Sequence, residues 1–356
     1  MPFLKFLIRR LLSIPVTLFS ITAVLYAIIM VAPPEERAAL YFPPRQPRIL
    51  TATQIETMTN RIIAEHGLDK PYPVQYANWV GDLLRGDWGW SPTFNADVLK
   101  LLLLRTPVTA ELTLYSMLML IPLGLISGVI AGWRHGGRAD AIFRFTAFLG
   151  TSIPPFILGL ILMSIFYVGL RWFPIGRSGI LDVTLRRATF TPYTGLLTLD
   201  GLLNGRLDIT LDAFRHLVLP VFTLSLSHWA TLGRVTRVAM IEEIDKEYIT
   251  AARARGLYNR SIIWRHAFRN ALPPALTSSI LSAASLVTGV FVVEVIFNIK
   301  GLSELITKGM GSITPDTPLA LGFAVYSVLL VMPIMLILDL LKAIVDPRLR
   351  EGEMSS

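Results

Sequence analysis

A chain of 356 residues that is 53% hydrophobic and only 16% charged, with a mean hydropathy of +0.57, falls outside the range of an ordinary soluble domain and reads as a membrane protein. Its net charge of +8 would suit nucleic acid, but the cations cluster beside long apolar runs, which favours a topological role over binding to a phosphate backbone. With no cysteine there is no disulfide and no thiolate metal site, so the parts outside the bilayer must hold by packing.

The first apolar run, about Leu11–Val31, matches the ~20 residues that a bilayer core requires, and Lys5, Arg9 and Arg10 precede it. It is too long for a signal-peptide core and no small-x-small cleavage site follows, so it reads as an uncleaved anchor with its N-terminus inside. From Pro33 to about Thr109 the chain is polar and mixed in charge. Thr53-Gln-Ile-Glu56 has the form of a capping box, Ile55, Met58, Ile62 and Ile63 give the helix it opens one apolar side, and Gly67 closes it. A second short helix is expected after Pro73, then a turn at Gly86-Asp87-Trp88-Gly89. Trp79, Trp88 and Trp90 supply amphipathic anchors for packing this segment on the membrane domain.

Five further spans are expected, at about Leu112–Trp133, Phe145–Leu170, Leu217–Ala239, Leu276–Phe297 and Leu319–Leu341. Pro154, in Ser152-Ile-Pro-Pro-Phe156, should free a backbone carbonyl and kink the third. Before the fourth, Trp172–Arg215 contains Leu181–Leu185, Thr189–Thr194 and Asp208–Asp212, which could make a small outer subdomain of unassigned fold. The fold class is thus an all-α polytopic membrane protein, six transmembrane helices with a helical extracytoplasmic segment after the first. Its parts are 1–32 (N-terminal end and first span), 33–110 (extracytoplasmic segment) and 111–356 (five-span core with an outer loop 171–215 and a cytoplasmic loop 240–274). Cations concentrate in that last loop, at Arg253, Arg255, Arg260, Arg265 and Arg269, while the outer segments balance theirs with acids such as Asp69, Asp82, Asp87 and Asp200. The positive-inside rule therefore puts both termini and that loop in the cytoplasm.

The stretch Glu247–Pro274 is a basic, polar insertion between apolar segments. Ile244, Tyr248, Ala251, Ala252 and Arg255 recur at three- and four-residue steps, which places them on one helix face, and Gly256 then ends that helix in a left-handed cap. Asn259 or Ser261 can cap a second short helix carrying Ile262, His266 and Arg269, with Pro273 and Pro274 stopping it. Two short helices around a glycine, held at a membrane surface, make a rigid knob suited to a groove on another protein. The plainer alternative is a basic loop that only sets topology.

Candidate chemistry is sparse. Glu294, near the outer end of the fifth span, either contacts substrate and lines a path or bonds to the Ile299–Ser303 turn; the structural bond is favoured because the desolvation cost shrinks near the interface. Asp339 is expected to pair with Lys342 or Arg348, and His228 to be a packing histidine rather than a proton relay. No phosphate-binding G-x-x-x-x-G-K-[ST] occurs, no H-E-x-x-H, and the five histidines lack zinc spacing, so no enzyme activity, cofactor or metal is expected.

Several of these motifs carry a family resemblance. Glu247-Tyr248, Thr250-Ala251-Ala252-Arg253-Ala254-Arg255-Gly256, His266, Arg269-Asn270-Ala271-Leu272 and Pro274 resemble the cytoplasmic coupling loop of the membrane subunits of binding-protein-dependent ATP-binding-cassette importers. His66-Gly-Leu-Asp69-Lys-Pro71, Gln75-Tyr76, Trp79, Gly86-Asp87-Trp88-Gly89 with Ser91, and Thr106–Thr109 resemble the outer segment of the oligopeptide/dipeptide/nickel permease subfamily. The Ser-Ile-Pro-x-Phe run ending at Phe156, His216–Pro220, Glu294-x-x-Phe297, Gly301-Leu302, Asp316-x-Pro318 and Asp346-Pro-Arg-Leu-Arg350 also resemble it, although Lys300 stands where the family has proline. The resemblance implies a permease that is not itself an ATPase. Its partners would be a second homologous permease, two cytoplasmic ATPases and an extracytoplasmic solute-binding protein, in the inner membrane among lipid and without nucleic acid. It implies that Ala251 and Ala252 meet the ATPase groove, and a cargo that is a peptide, or else an oligosaccharide or nickel complex. A reading of a different class, an ion-coupled secondary transporter, would need repeat symmetry and paired intramembrane ionisable groups, which the sequence does not display.

Overall fold

A computed structural model of the chain describes residues 2–41, 52–180, 190–311 and 315–345. The Asp346–Arg350 motif, the Leu181–Leu185 stretch and the side chain of Asp339 lie outside what it describes. The helices are, in chain order, α1 (Pro2–Ile29), α2 (Pro34–Arg37), α3 (Ala52–His66), α4 (Tyr72–Leu84), α5 (Val98–Trp133), α6 (Arg138–Ser152), α7 (Pro155–Leu162), α8 (Leu197–Leu203), α9 (Leu207–Ile244), α10 (Glu247–Ala254), α11 (Asn259–Ser261), α12 (Phe268–Ile296), α13 (Leu302–Met310) and α14 (Thr317–Val345). Wider turns with i→i+5 bonding extend α7 over Met163–Gly169 and join α11 to α12 over Ile262–Ala267. One short antiparallel pairing sets Trp90 opposite Asp97 and Ser91 opposite Ala96. The chain divides into two compact units, 1–106 with 302–334, and 107–301 with 335–356.

In the first unit α4 packs on α1 through aromatic rings. Tyr26 stacks on Trp79 with centroids 5.0 Å apart, the Thr22 and Tyr76 hydroxyls share a hydrogen bond of 2.7 Å, and the Tyr72 hydroxyl donates to the Ala23 carbonyl at 2.5 Å. Arg37, 7% exposed, donates to the Ala32 and Leu68 carbonyls at 3.0 and 2.9 Å and to the Gln75 side chain. Helix α3 begins at Ala52, so Thr53 lies inside its first turn and is not the expected cap. Its inward face is Met58, Ile62 and Ile63, whereas Ile55 is 46% exposed. Gly67 ends α3 at φ +61°, and the next amide, Leu68, returns to the Ile63 carbonyl at 3.0 Å. Helix α4 follows Pro71, one turn position earlier than the expected start, because Pro73 fits the N–H-free first turn. Asp316 opens α14 by accepting the Leu319 amide at 3.1 Å, and its other oxygen accepts from the Ser91 hydroxyl and the Thr93 amide.

In the second unit α9 is central. Gly124, Gly128 and Gly132 on α5 let the two helices touch along their backbones: a Cβ on Gly128 would stand 2.6 Å from the Gly233 carbonyl oxygen, and one on Gly132 2.6 Å from Met240 Cβ. Leu112, Leu120, Leu224, Leu232, Leu286, Val290, Val293 and Phe297 form the core between α5, α9 and α12. Where a third span is expected, α6 and α7 meet at 101° across Ile153-Pro154. Helix α12 runs through Pro273 and Pro274, which do not stop it. Helix α5 starts at Val98, well before the expected Leu112. Between α7 and α9, α8 packs Leu197 against Ile209 and Ala213, and Asp200 accepts the Thr194 and Gly195 amides at 2.8 and 2.9 Å.

Among the described residues two helices, α5 and α9, are long and apolar enough to cross a bilayer, and the number rises to four if the bent pairs Arg138–Ser152 with Pro155–Gly169, and Asn259–Val287 with Gly289–Ile296, are each one span. Pro15–Ile28 and Thr317–Pro333 are shorter apolar stretches.

Candidate functional site

The knob forms, with a different face inward from the one the spacing suggests. Ile244 ends α9 and is not on the following helix. Within α10, Ile249 and Ala252 are buried, at 0 and 7% exposure, against Val129, Met240, Ile262, Ala267 and Ala271. Ala252 therefore packs into this chain's own core. Glu247, Thr250, Ala251, Arg253, Ala254, Arg255 and Gly256 all face solvent. The Arg253 guanidinium lies over the Trp133 ring, 5.5 Å from its centroid.

Gly256 adopts φ +73° with no atom within 4 Å of where a Cβ would point, and the Leu257 amide closes the helix on the Ala252 carbonyl at 3.3 Å. The requirement for glycine is thus conformational and not steric. Past this bend Leu257 and Tyr258 are 40 and 87% exposed, and Tyr258 caps the next turn in place of Asn259 or Ser261. Tyr258, Arg260, Ser261, Trp264 and Arg265 line an open groove beside the bend. His266 is half-buried in the wide turn, and Arg269 and Asn270 are exposed at the start of α12.

Tyr248 braces the knob on the membrane helix. Its hydroxyl donates to Glu243 Oε2 at 2.6 Å, and Lys246 holds the other carboxylate oxygen. Burial, reinforced by the Glu243 carboxylate and opposed by Asn270, pushes the Tyr248 phenol up to about 12, so it stays a donor at physiological pH.

The remaining candidates take the following places. Glu294 is fully buried; Thr109 Oγ1 donates to its Oε1 at 2.5 Å, and a Cβ on Gly301 would stand 2.1 Å from the same oxygen. The carboxylate thus fills the space over the Ile299–Gly301 turn, which forms with Lys300 in place of proline, the Gly301 amide donating to the Ile299 carbonyl at 2.9 Å. Pro154 sits at the break of the third span with Phe156, 48% exposed, just beyond it. In the outer segment Asp69 is exposed, Gly86 takes φ +86°, Asp87 accepts the Gly89 amide at 3.1 Å and Trp88 donates to the Leu83 carbonyl at 3.2 Å. His228 is half-buried on α9. Among the described residues no group of three or more acidic or histidine side chains is placed to hold a metal ion.

Two long-range ion pairs of the second unit escaped the sequence reading. Glu111, 2% exposed, accepts the Thr198 amide and hydroxyl at 2.8 and 2.7 Å and pairs with Arg177 at 3.1 Å, tying the segment between α7 and α9 to α5. Asp140 on α6 takes a two-point grip from Arg237 on α9. Each joins residues far apart in the chain, and no local pattern announces them.

Residues 120–351 match the model of the inner-membrane component of binding-protein-dependent transport systems, and residues 3–113 match the N-terminal part of the same class of component. The chain is 33% identical over 347 residues to the di/tripeptide transport system permease protein DppB of Pseudomonas aeruginosa, covering 98% of this chain and 99% of that protein. It is 33% identical to the oligopeptide transport system permease protein AppB of Bacillus subtilis over 97% of this chain and 98% of that one. Against the probable D,D-dipeptide permease DdpB of Escherichia coli it is 35% identical over 83 and 86%.

Proposed function

The chain belongs to the inner-membrane components of binding-protein-dependent transport systems, and from that premise we propose that it is a permease subunit of a peptide importer energised by partner ATPases. The observation that carries the proposal is the knob: α10 anchored from within by Ile249, Ala252 and Tyr248, presenting Thr250, Ala251 and the Arg253–Gly256 turn outward. A small residue flanked by cations suits close approach to an acidic-rimmed groove on an ATPase, and the rigid brace lets displacement of the groove move α9 and α12 together. Peptide as cargo is supported by relatives named as di/tripeptide and oligopeptide permeases that align along almost the whole chain.

In this reading the chain crosses the inner membrane six times, with both termini and the knob in the cytoplasm and the outer segment near α4 seating a solute-binding protein. The path forms with a second permease. The test is reconstitution in vesicles with the ATPases and binding protein, without an ion gradient: ATP-dependent peptide uptake is expected. Uptake driven by an ion gradient and indifferent to ATP would establish the secondary-transporter alternative.

A further inference from the structure

We propose that the Asp140–Arg237 pair is a mechanical tie that forces the inner half of the broken third span to move with the coupling knob. The inference rests on the coupling role assigned above and adds a route by which motion leaves the knob.

The tie is built from three sides. Arg237 Nε and Nη2 reach Asp140 Oδ1 and Oδ2 at 2.5 and 2.9 Å, a fork that fixes both distance and direction. The Gly136 amide donates to Oδ2 at 3.0 Å, which locks the reversal between α5 and α6 onto the same carboxylate, and Gly136 can make that turn because it sits at φ +75°. Arg144 lies 3.8 Å away on the next turn of α6. The Asp140 side chain is 1% exposed and that of Arg237 15%.

A buried pair of this kind adds little stability over well-packed apolar side chains, so its value lies in fixing one geometry. Here the pair fixes the first turn of α6, where that helix begins its packing along α9. Ile142, Phe145 and Phe148 are 64–65% exposed, and only Phe143, Ala147 and Gly150 face the unit's interior.

The inner anchor of the tie is continuous with the knob. Met240, one turn beyond Arg237, packs in the same cluster as Ile249 and Ala252, and Trp133 at the end of α5 lies under Arg253. The other side of the break is anchored elsewhere. A Cβ on Gly159 of α7 would meet Phe297 and Thr223 side chains at 3.3 Å, which places α7 against the outer parts of α9 and α12. Movement of the knob therefore pulls α6 through Asp140 while α7 stays with the outer core, and the 101° break at Ile153-Pro154 takes up the difference.

The test uses the assembled importer in vesicles, with ATP hydrolysis and peptide uptake read from the same preparation. Asp140→Asn should leave ATPase co-purification and hydrolysis intact and lower peptide taken up per ATP by roughly 2- to 30-fold, the range for a residue within a coupling network. Arg237→Lys, which keeps the charge without the fork, should fall between. Unchanged uptake per ATP in Asp140→Asn would overturn the proposal.

If Asp140→Asn fails to assemble, Asp140→Cys with Arg237→Cys, in a chain with no native cysteine, supplies the second measurement. A short bis-methanethiosulfonate bridge should raise uptake per ATP, and its reduction should lower it again. Equal uptake with and without the bridge, or failure of that pair to assemble in either form, would mean that the contact serves folding alone. Failure of the coupling reading would show separately, as normal ATPase co-purification and uptake with Ala251→Trp.

Discussion

Gly301→Ala should damage this protein severely, although it adds one methyl group. The new Cβ would lie 2.1 Å from Glu294 Oε1 and 2.5 Å from its Cδ, far inside van der Waals contact. Glu294 has little room to yield, because it is fully buried and Thr109 holds the same oxygen at 2.5 Å. Displacing the carboxylate forfeits a charge-assisted hydrogen bond, about 1.5–3 kcal/mol, and overpacking the turn adds about 1–3 kcal/mol. The combined loss is roughly 2.5–6 kcal/mol, at its upper end comparable to the whole stability of a marginal domain. Thr109→Val, which leaves the carboxylate in place but removes the donor, should cost only about 1–3 kcal/mol. Glu294→Gln should not rescue Gly301→Ala, since the amide occupies the same space. The assay is the monodisperse fraction recovered in detergent after graded heating, with the order parent, Thr109→Val, Gly301→Ala from most to least stable. A Gly301→Ala protein that survives heating as well as the parent would refute the steric argument and, with it, the structural role given to Glu294.

Gly256→Ala should cost about 1–2 kcal/mol locally, from the left-handed backbone alone, and reduce uptake without abolishing it; a loss as complete as that of an unassembled complex would mean a neighbour crowds the bend. Ala252→Trp should lower the yield of folded permease, because Ala252 packs in the chain's own core, whereas Ala251→Trp should leave the yield unchanged; size-exclusion profiles separate the two. A cysteine placed at Asn259 should react with impermeant reagents only in inside-out vesicles; labelling of intact cells would reverse the proposed topology.

What the sequence disclosed was mostly local. Gly67, Gly86 and Gly256 stand where the chain takes positive φ, and each was readable because a helix end or tight turn leaves few other choices. The Gly86–Gly89 turn and the existence of the knob followed from the same kind of signal. The knob's orientation did not: a three- and four-residue spacing marks a face, but Tyr248, Ala251 and Ala252 fit that spacing equally well, and only packing against Met240 and Ile262 decides which alanine turns inward. Pro273 and Pro274 misled because a proline stops a helix only when its lost bond matters, and α12 carries both near its start, just after a wide turn. Asp140–Arg237 and Glu111–Arg177 were invisible because each pairing spans the fold. The spacing Gly124-x-x-x-Gly128-x-x-x-Gly132 was the one overlooked signal, since small residues every fourth position on an apolar helix predict close packing.

The claim on which the account turns is that the outward face of α10 transmits ATP-driven work. Its most direct test is Ala251→Trp in the reconstituted importer, comparing ATPase co-purification and ATP-dependent peptide uptake with the parent at equal folded yield. The account predicts that both are lost while the permease remains inserted and monodisperse. Normal co-purification and uptake with tryptophan at that position would contradict it.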